Sequence, residues 1–247
     1  MKHITRVNDD IQLIQDSEFL SFGTDALLLA AYMRPGVAHS KRVAVELGAG
    51  SGIISLLAAK RGKFGRIYAV EVQHEQHEIC VENIALNALE EQIVPIHADL
   101  RDIRTDIWGH VDAVFANPPF FPPDSGRLNQ SETKTAARHE IHGGIADFTS
   151  CAGRLLNEGG LFYCVYRPDR LDVLLSSLEQ AQLMPKRLTF VQQTPSHSPS
   201  LVLCEARRGN NRGMIVTPPL ILKSGGRDSD DYSRILETGS FMQKFYT

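Results

Sequence analysis

Two kinds of apolar pattern alternate along the first two thirds of the chain. Short, nearly continuous apolar runs at Arg42–Leu47, Arg66–Glu71, Ile93–His97, Val111–Ala116 and Leu161–Tyr166 read as strands buried on both faces. Between several of them lie longer stretches in which apolar residues recur every three or four positions: Ile53–Lys60, Glu75–Asn87, Ile145–Leu156 and Arg170–Gln182. In the last, Leu171, Leu174, Leu175 and Leu178 share one face, the stripe of a helix packed on a core. Strands alternating with helices specify a parallel, right-handed, doubly wound sheet. Leu188–Gln192 and Leu201–Ala206 predict a closing antiparallel pair. The expected class is therefore α/β: a doubly wound, mostly parallel, seven-stranded Rossmann-like sheet with an antiparallel final strand.

Before the first core strand, residues 1–22 alternate loosely and predict a short hairpin. Ala26–Met33 predicts a helix, with Thr24 as its cap and Pro35-Gly36 as its stop. Residues 1–40 hold too few apolar side chains for a core of their own, so they are read as an extension packed on the main sheet of a single domain, 1–247. The tail from Gly209 is rich in Gly, Pro, Ser and charge, and no element is assigned to it. There is no internal repeat.

At 247 residues the chain buries a large core without a disulfide or metal staple. Cys80, Cys151, Cys164 and Cys204 form no CxxC pair, and two of them sit inside apolar runs. Buried free thiols in a reducing compartment follow. The N-terminus has no signal-like apolar region, and the longest apolar stretch, Ala26–Met33, is too short for a bilayer. A soluble cytoplasmic protein with no membrane partner is expected, and a monomer is favoured. A net charge of −3 argues against broad coating of nucleic acid. The charge is uneven: residues 1–123 carry 11 Lys+Arg against 16 Asp+Glu, and residues 124–247 carry 15 against 13. Basic pairs such as Lys186-Arg187 and Arg207-Arg208 fit a local RNA patch and a solvated face equally well.

The chemistry concentrates at Asn117-Pro118-Pro119-Phe120, directly after the Val111–Ala116 run. Two prolines offer no backbone N–H, so the strand must end there, at the edge where open α/β sheets bind ligands. The Asn117 amide oxygen and the Pro118 carbonyl are two acceptors, and Phe120 is an aromatic face. That set suits a planar amine on a ring or an amide. Upstream, Gly48, Gly50 and Gly52 form a GxGxG turn between a strand and a helix, an arrangement that aims backbone N–H groups at a ligand. Ile53 stands where a dinucleotide fingerprint would place its third glycine. Glu46, before the loop, suits an amine and not a pyrophosphate. Glu71 ends the second core strand, 19 residues after Gly52, where a carboxylate can take both ribose hydroxyls. Asp99 follows the third strand and is a candidate acceptor for an adenine amine, with Leu100 offering a backbone N–H.

These residues resemble the motifs of the S-adenosylmethionine methyltransferases. Over nearly the whole chain the sequence is similar to bacterial methyltransferases that modify N6 of the adenosine beside the anticodon of a valine tRNA. The stretches that carry the resemblance are Phe22-Gly23-Thr24-Asp25-Ala26-Leu27-Leu28-Leu29-Ala30, Glu46-Leu47-Gly48-Ala49-Gly50-Ser51-Gly52-Ile53-Ile54, Val70-Glu71-Val72-Gln73, Asn117-Pro118-Pro119-Phe120-Phe121 and His139-Glu140. The resemblance implies a class I methyltransferase fold and S-adenosylmethionine as cofactor. It implies a cofactor cleft lined by Phe22, Thr24, Glu46, Gly48, Ala49, Gly50, Gly52, Glu71, Val72, Asp99, Leu100 and Asn117. It also implies catalysis at Asn117, Pro118, Pro119 and Phe120, with RNA, in particular tRNA, as substrate. The chain departs from the family pattern in two places: Glu46 stands for the usual Asp, and Phe120 for the usual Tyr.

Residues 120–145 form a long polar connection expected to close over the base, and Phe121, Lys134, Arg138 and His139 are its candidate RNA contacts. His139-Glu140-Ile141-His142 is not HExxH, and His74 and His77 fit a solvated helix face, so no metal is expected. Guanine-N2 methylation of ribosomal RNA shares Asn-Pro-Pro-Phe and is the first alternative. Glutamine-N5 methylation of a release factor is the second, although 40 residues leave little room for the helical bundle such enzymes bring. A DNA adenine methyltransferase would add a recognition domain. A cofactor-binding scaffold without catalysis is the alternative outside enzymes.

Overall fold

The computed structural model describes residues 2–16, 23–34, 41–105, 109–119, 143–211 and 213–246. The chain opens with β1 (Lys2–Arg6), β2 (Gln12–Asp16) and α1 (Thr24–Tyr32). Then come β3 (Val43–Leu47), α2 (Ile53–Lys60), β4 (Arg66–Glu71), α3 (His74–Leu86), β5 (Ile93–His97) and β6 (Val111–Ala116). The second half contributes α4 (Ile145–Leu155), β7 (Leu156–Tyr166), α5 (Leu171–Gln180), β8 (Leu183–Gln192) and β9 (Leu201–Arg208). Four two-residue strands and a helix follow: β10 (Ile215–Val216), β11 (Leu220–Ile221), β12 (Lys223–Ser224), β13 (Arg227–Asp228) and α6 (Asp230–Thr238).

The seven long strands of the main sheet run β8-β9-β7-β6-β3-β4-β5. β3 to β7 are parallel to one another, and β9 runs antiparallel to both β7 and β8. This is the expected α/β arrangement, extended at its edge where β10 and β11 add parallel to β8. The central strands β3 and β6 are buried on both faces, as their apolar runs require, while the edge strand β5 is only partly buried. In β3, Ala44 faces α1, α2 and α3, while Val45 and Leu47 face α4 and α5. The strand order reverses beside β3: the chain winds outward through β4 and β5, then crosses back to β6. Ligands bind outside the strand ends at such a switch point, and here the ends of β3 and β6 carry Gly48 and Asn117.

The hairpin expected before α1 forms: β1 and β2 pair with each other and sit on α3. Asn83 and Asn87, one helical turn apart, act as an artificial strand edge: their oxygens accept from the Ile14 and Gln12 N–H groups, and their amides return bonds to the same residues' carbonyls. The cap of α1 is Gly23, not Thr24, and no side chain bonds there. β7 starts five residues before its apolar run, and Gly159 and Gly160 lie inside the strand. α4 ends at Leu155 and β7 begins at the next residue, with a register shift against β6 that absorbs the glycines. β8 begins at Leu183, five residues earlier than its apolar run suggested, and a second irregularity carries it past Pro185.

The tail is structured. Ser229 caps α6 by accepting from the Tyr232 N–H, and Gly239 ends the helix at φ 63°. Ile235, Phe241 and Phe245 are buried in the core on the side of α1 and α2. All four cysteines are free and buried, and among the described residues no helix is long and apolar enough to cross a membrane.

Candidate functional site

The turn after β3 is shaped by backbone conformation. Gly48, Gly50 and Gly52 all have positive φ, at 69°, 54° and 81°. At Gly52 two constraints coincide: a side chain would be strained by the left-handed backbone, and its Cβ would lie 2.7 Å from the Cys80 sulfur. α3 therefore packs flush against the start of α2. The loop is tied down from three sides. The Ala49 N–H donates to the Val70 carbonyl (2.9 Å), the Gly50 N–H to Glu71 Oε2 (2.8 Å), and Asn83 Nδ2 to the Ser51 carbonyl (3.0 Å).

Glu46 is almost fully buried. Its Oε2 accepts from the Ser55 N–H (3.0 Å) and the Ser55 hydroxyl. Ser55 lies in the first turn of α2, so the carboxyl caps that helix from the preceding strand. This differs from the expectation that Glu46 turns toward a ligand amine: one oxygen is committed to holding β3 to α2. Burial pushes its pKa up to about 8 against the opposing effect of the Ser55 bonds, and Glu71 adds to the rise. Glu71 is buried as well, with Oε2 on Gly50 and Oε1 accepting from the Gln73 N–H (2.8 Å). Each of its oxygens has a second lone pair. The Cys80 thiol is also pushed up, by burial first and then by Glu46 and Glu71.

Asp99 differs more clearly from its expected role. Both its oxygens accept from the Arg101 guanidinium, and Oδ1 also accepts from the Arg101 N–H. Leu100 beside it is buried, its carbonyl accepts from Arg154 (3.2 Å), and its side chain packs in the α4–α5 core. Val72 is half-buried and its carbonyl meets His97 Nε2 at 3.0 Å.

At the end of β6, Pro118 is buried, with Asn117 and Pro119 half-buried. Asn117 Nδ2 donates to Asp25 Oδ2 (2.7 Å), a residue 92 positions earlier. Its Oδ1 is buried and has no hydrogen-bond partner among the described residues. An amide oxygen removed from water without a donor costs about 1–3 kcal/mol, so this atom is an acceptor awaiting an N–H. Phe22, Phe120, Phe121, Lys134, Arg138 and His139 lie outside the described residues, as does most of the connection assigned to closure. Thr24 is half-buried in the first turn of α1. Sequence reasoning gave no role to Asp25, Ser55 or Asn83. The Asn83/Asn87 spacing, two amides one turn apart, was a visible signal; the other two depend on distant partners.

The described residues fit S-adenosylmethionine. A glycine cradle with the Glu71 carboxyl held at its edge by the Gly50 N–H answers an ammonium and ribose hydroxyls. His74, His77 and His97 stack near the end of β4, yet among the described residues no group of three or more His, Cys, Asp or Glu is arranged to hold a metal ion.

The family model of the TRM5/TYW2 methyltransferase domain matches residues 33–120, from the end of α1 through Asn117. The crystal structure of a predicted O-methyltransferase from Agrobacterium tumefaciens superposes with a TM-score of 0.72 at 19% identity, covering 89% of this chain and 98% of that one. Fold, glycine turn and strand-end acids together define a class I methyltransferase that uses S-adenosylmethionine. Among characterised sequences, a tRNA1(Val) (adenine(37)-N6)-methyltransferase of Porphyromonas gingivalis is 28% identical over 222 residues, 87% of this chain and 86% of the relative. One of Flavobacterium johnsoniae is 28% identical over 182 residues, covering 73% and 75%. Over most of its length the chain is similar to these bacterial methyltransferases.

Proposed function

We propose that the protein methylates the exocyclic N6 amine of an adenosine in tRNA, at the anticodon-loop position for which its relatives are named. The observation that carries this reading is the buried Oδ1 of Asn117, without a hydrogen-bond partner among the described residues, at the switch point of the sheet. An exocyclic adenine amine is a poor nucleophile because its lone pair is shared with the ring. An acceptor fixed beside one N–H, with the Pro118 carbonyl beside the other, favours a pyramidal nitrogen and returns the lone pair to it. A loop base is also the cheapest to swing out of its stack, at a few kcal/mol. Phe120, next in the chain, is assigned to the face of the base.

S-adenosylmethionine supplies an electrophilic methyl that needs no metal and no covalent enzyme intermediate. The chain's own work is positioning. Gly48–Gly52 and Glu71 orient the cofactor, Glu46 holds α2 behind the loop, and Asn117 holds the amine in line. The test is to incubate the protein with labelled S-adenosylmethionine and unmodified RNA, digest to nucleosides and identify the labelled one. N6-methyladenosine in tRNA is expected; N2-methylguanosine or label in protein would overturn the reading. Asn117→Ala is expected to lower turnover at least about a hundredfold while cofactor binding persists, and near-normal turnover would remove Asn117 from the site.

A further inference from the structure

The carboxamide of Asn117 is a nearly symmetric fork. Half a turn about its last bond exchanges oxygen and nitrogen, and the two orientations have opposite effects on an amine. Oxygen inward accepts an N–H; nitrogen inward opposes one donor with another. Nothing on Asn117 itself chooses between them. Its nitrogen, however, donates to Asp25 Oδ2 at 2.7 Å. An ionised carboxylate only accepts, so the flipped amide would set oxygen against oxygen at contact distance.

Resting on the reading of Asn117 as the amine acceptor, we infer that Asp25 is a positioning residue that locks the Asn117 amide with its oxygen toward the target amine. The same bond polarises the amide, because a donor engaged by an anion leaves more negative charge on the carbonyl oxygen. Asp25 acts only through Asn117.

The surroundings of Asp25 are built for this. It stands in the first turn of α1, whose Ala26 and Leu28–Tyr32 are buried and anchor the helix in the core. The residue before that turn, Gly23, has φ −112°, a conformation open to any side chain. Space is what demands glycine there: a Cβ at Gly23 would lie 2.6 Å from Asp25 Oδ1. The carboxylate is folded back over the cap, and Gly23 leaves room for it. A purely structural role competes with this one, since an acidic residue in the first turn also complements the helix dipole. The experiment has to separate the two.

The assay uses the full chain with S-adenosylmethionine and an unmodified tRNA(Val) transcript. Asp25→Asn keeps the shape but lets the neighbouring amide settle either way round. It is expected to lower kcat by about 10- to 100-fold with KM for S-adenosylmethionine little changed. Gly23→Ala retains the charge at the helix end and displaces only the carboxylate. It is expected to lower kcat by about fivefold or more at an unchanged melting temperature, an outcome that a dipole role does not produce. Asn117→Asp places two carboxylates in contact, and they cannot both ionise. The double variant Asp25→Asn/Asn117→Asp restores a donor–acceptor pair with the acceptor inward. It is expected to recover kcat by about tenfold over Asn117→Asp.

The inference is overturned if Asp25→Asn and Gly23→Ala both stay within about twofold of wild type, or if the double variant is no better than Asn117→Asp. Should Asn117→Ala be inactive in the same assay, only the role of Asp25 has failed. Should Asn117→Ala turn over normally, the reading of the site beneath it has failed instead.

Discussion

Two buried polar clusters in this protein obey opposite rules. At the far edge of the sheet, Arg187 is wholly buried, yet its charge is answered from every side. It donates to the Phe245 carbonyl (2.9 Å), the Tyr32 carbonyl (2.7 Å) and Glu205 Oε2 (2.8 Å), and its guanidinium lies 3.7 Å from the centre of the Tyr32 ring and 4.5 Å from that of Tyr246. Glu205 accepts in addition from Arg34 (2.8 Å). The cluster ties α1, β8, β9 and the C-terminal turn into one knot, and among the described residues the Arg187 Nε and the Tyr246 hydroxyl are its buried polar atoms without a hydrogen-bond partner. At the end of β6, the Asn117 amide is answered on its nitrogen and left open on its oxygen. The first cluster uses buried polarity for stability. The second holds some back, because an acceptor satisfied by the protein has nothing left for a substrate.

The largest expected effect tests the knot. Arg187→Met leaves Glu205 buried with only Arg34 to answer it, and is expected to lower the unfolding free energy by about 3 kcal/mol or more. Denaturant titration measures it, and kcat well below the transition should stay near normal. Asn117→Ala should show the mirror image, lost turnover at nearly unchanged stability. If both variants lost stability alike, the contrast between the clusters would dissolve.

A smaller effect is expected at Gly52→Ala, where a left-handed backbone and the Cys80 sulfur both oppose a methyl group. Its cost is about 2 kcal/mol, read as a shift in melting temperature, with weakened cofactor binding in the same sample. Cys80→Ala in that background should return part of the loss. An additive double variant would mean that the contact with α3 does not shape the loop.

Glu46 lies between the two extremes: it belongs to the site but works as a brace, and its pH dependence has a definite sign. Its pKa is about 8 in the folded chain against an ordinary 4.5, so between these values the folded state retains a proton that the unfolded state has released. The stabilisation is complete below the lower value and is lost as pH rises through about 8. The slope is at most about 1.4 kcal/mol per pH unit. Glu46→Gln keeps an acceptor for Ser55 and is expected to flatten the decline between pH 5 and 8, as measured by denaturation at several pH values. A parallel decline in both proteins would show that Glu46 is ionised throughout.

The legible parts of the molecule were those with local causes. An apolar run of strand length, a helix stripe or a double proline states its own preference, so β3 to β7 and their helices could be read almost in place. Glycines at 48, 50 and 52 are likewise visible, since each responds to a backbone angle at its own position. The tail was legible in part: Ser229, Asp230 and Asp231 followed by Gly239 mark a capped helix, a signal obscured by the surrounding polar composition. Its docking was not legible, because Phe241 and Phe245 show no period and their partners, Tyr32 and Arg187, lie far away in the chain.

The sequence by itself determined the α/β class, the glycine loop and the strand-end position of Asn117, because these rest on short-range periodicity and on residues whose chemistry is their own. The tertiary structure alone decided what the acids do. Glu46 serves α2, Asp99 serves Arg101, and Asp25 serves Asn117. A carboxylate gives the same signal in sequence whether it meets a ligand, a helix end or an amide, and only the folded chain brings one particular donor within 3 Å of it.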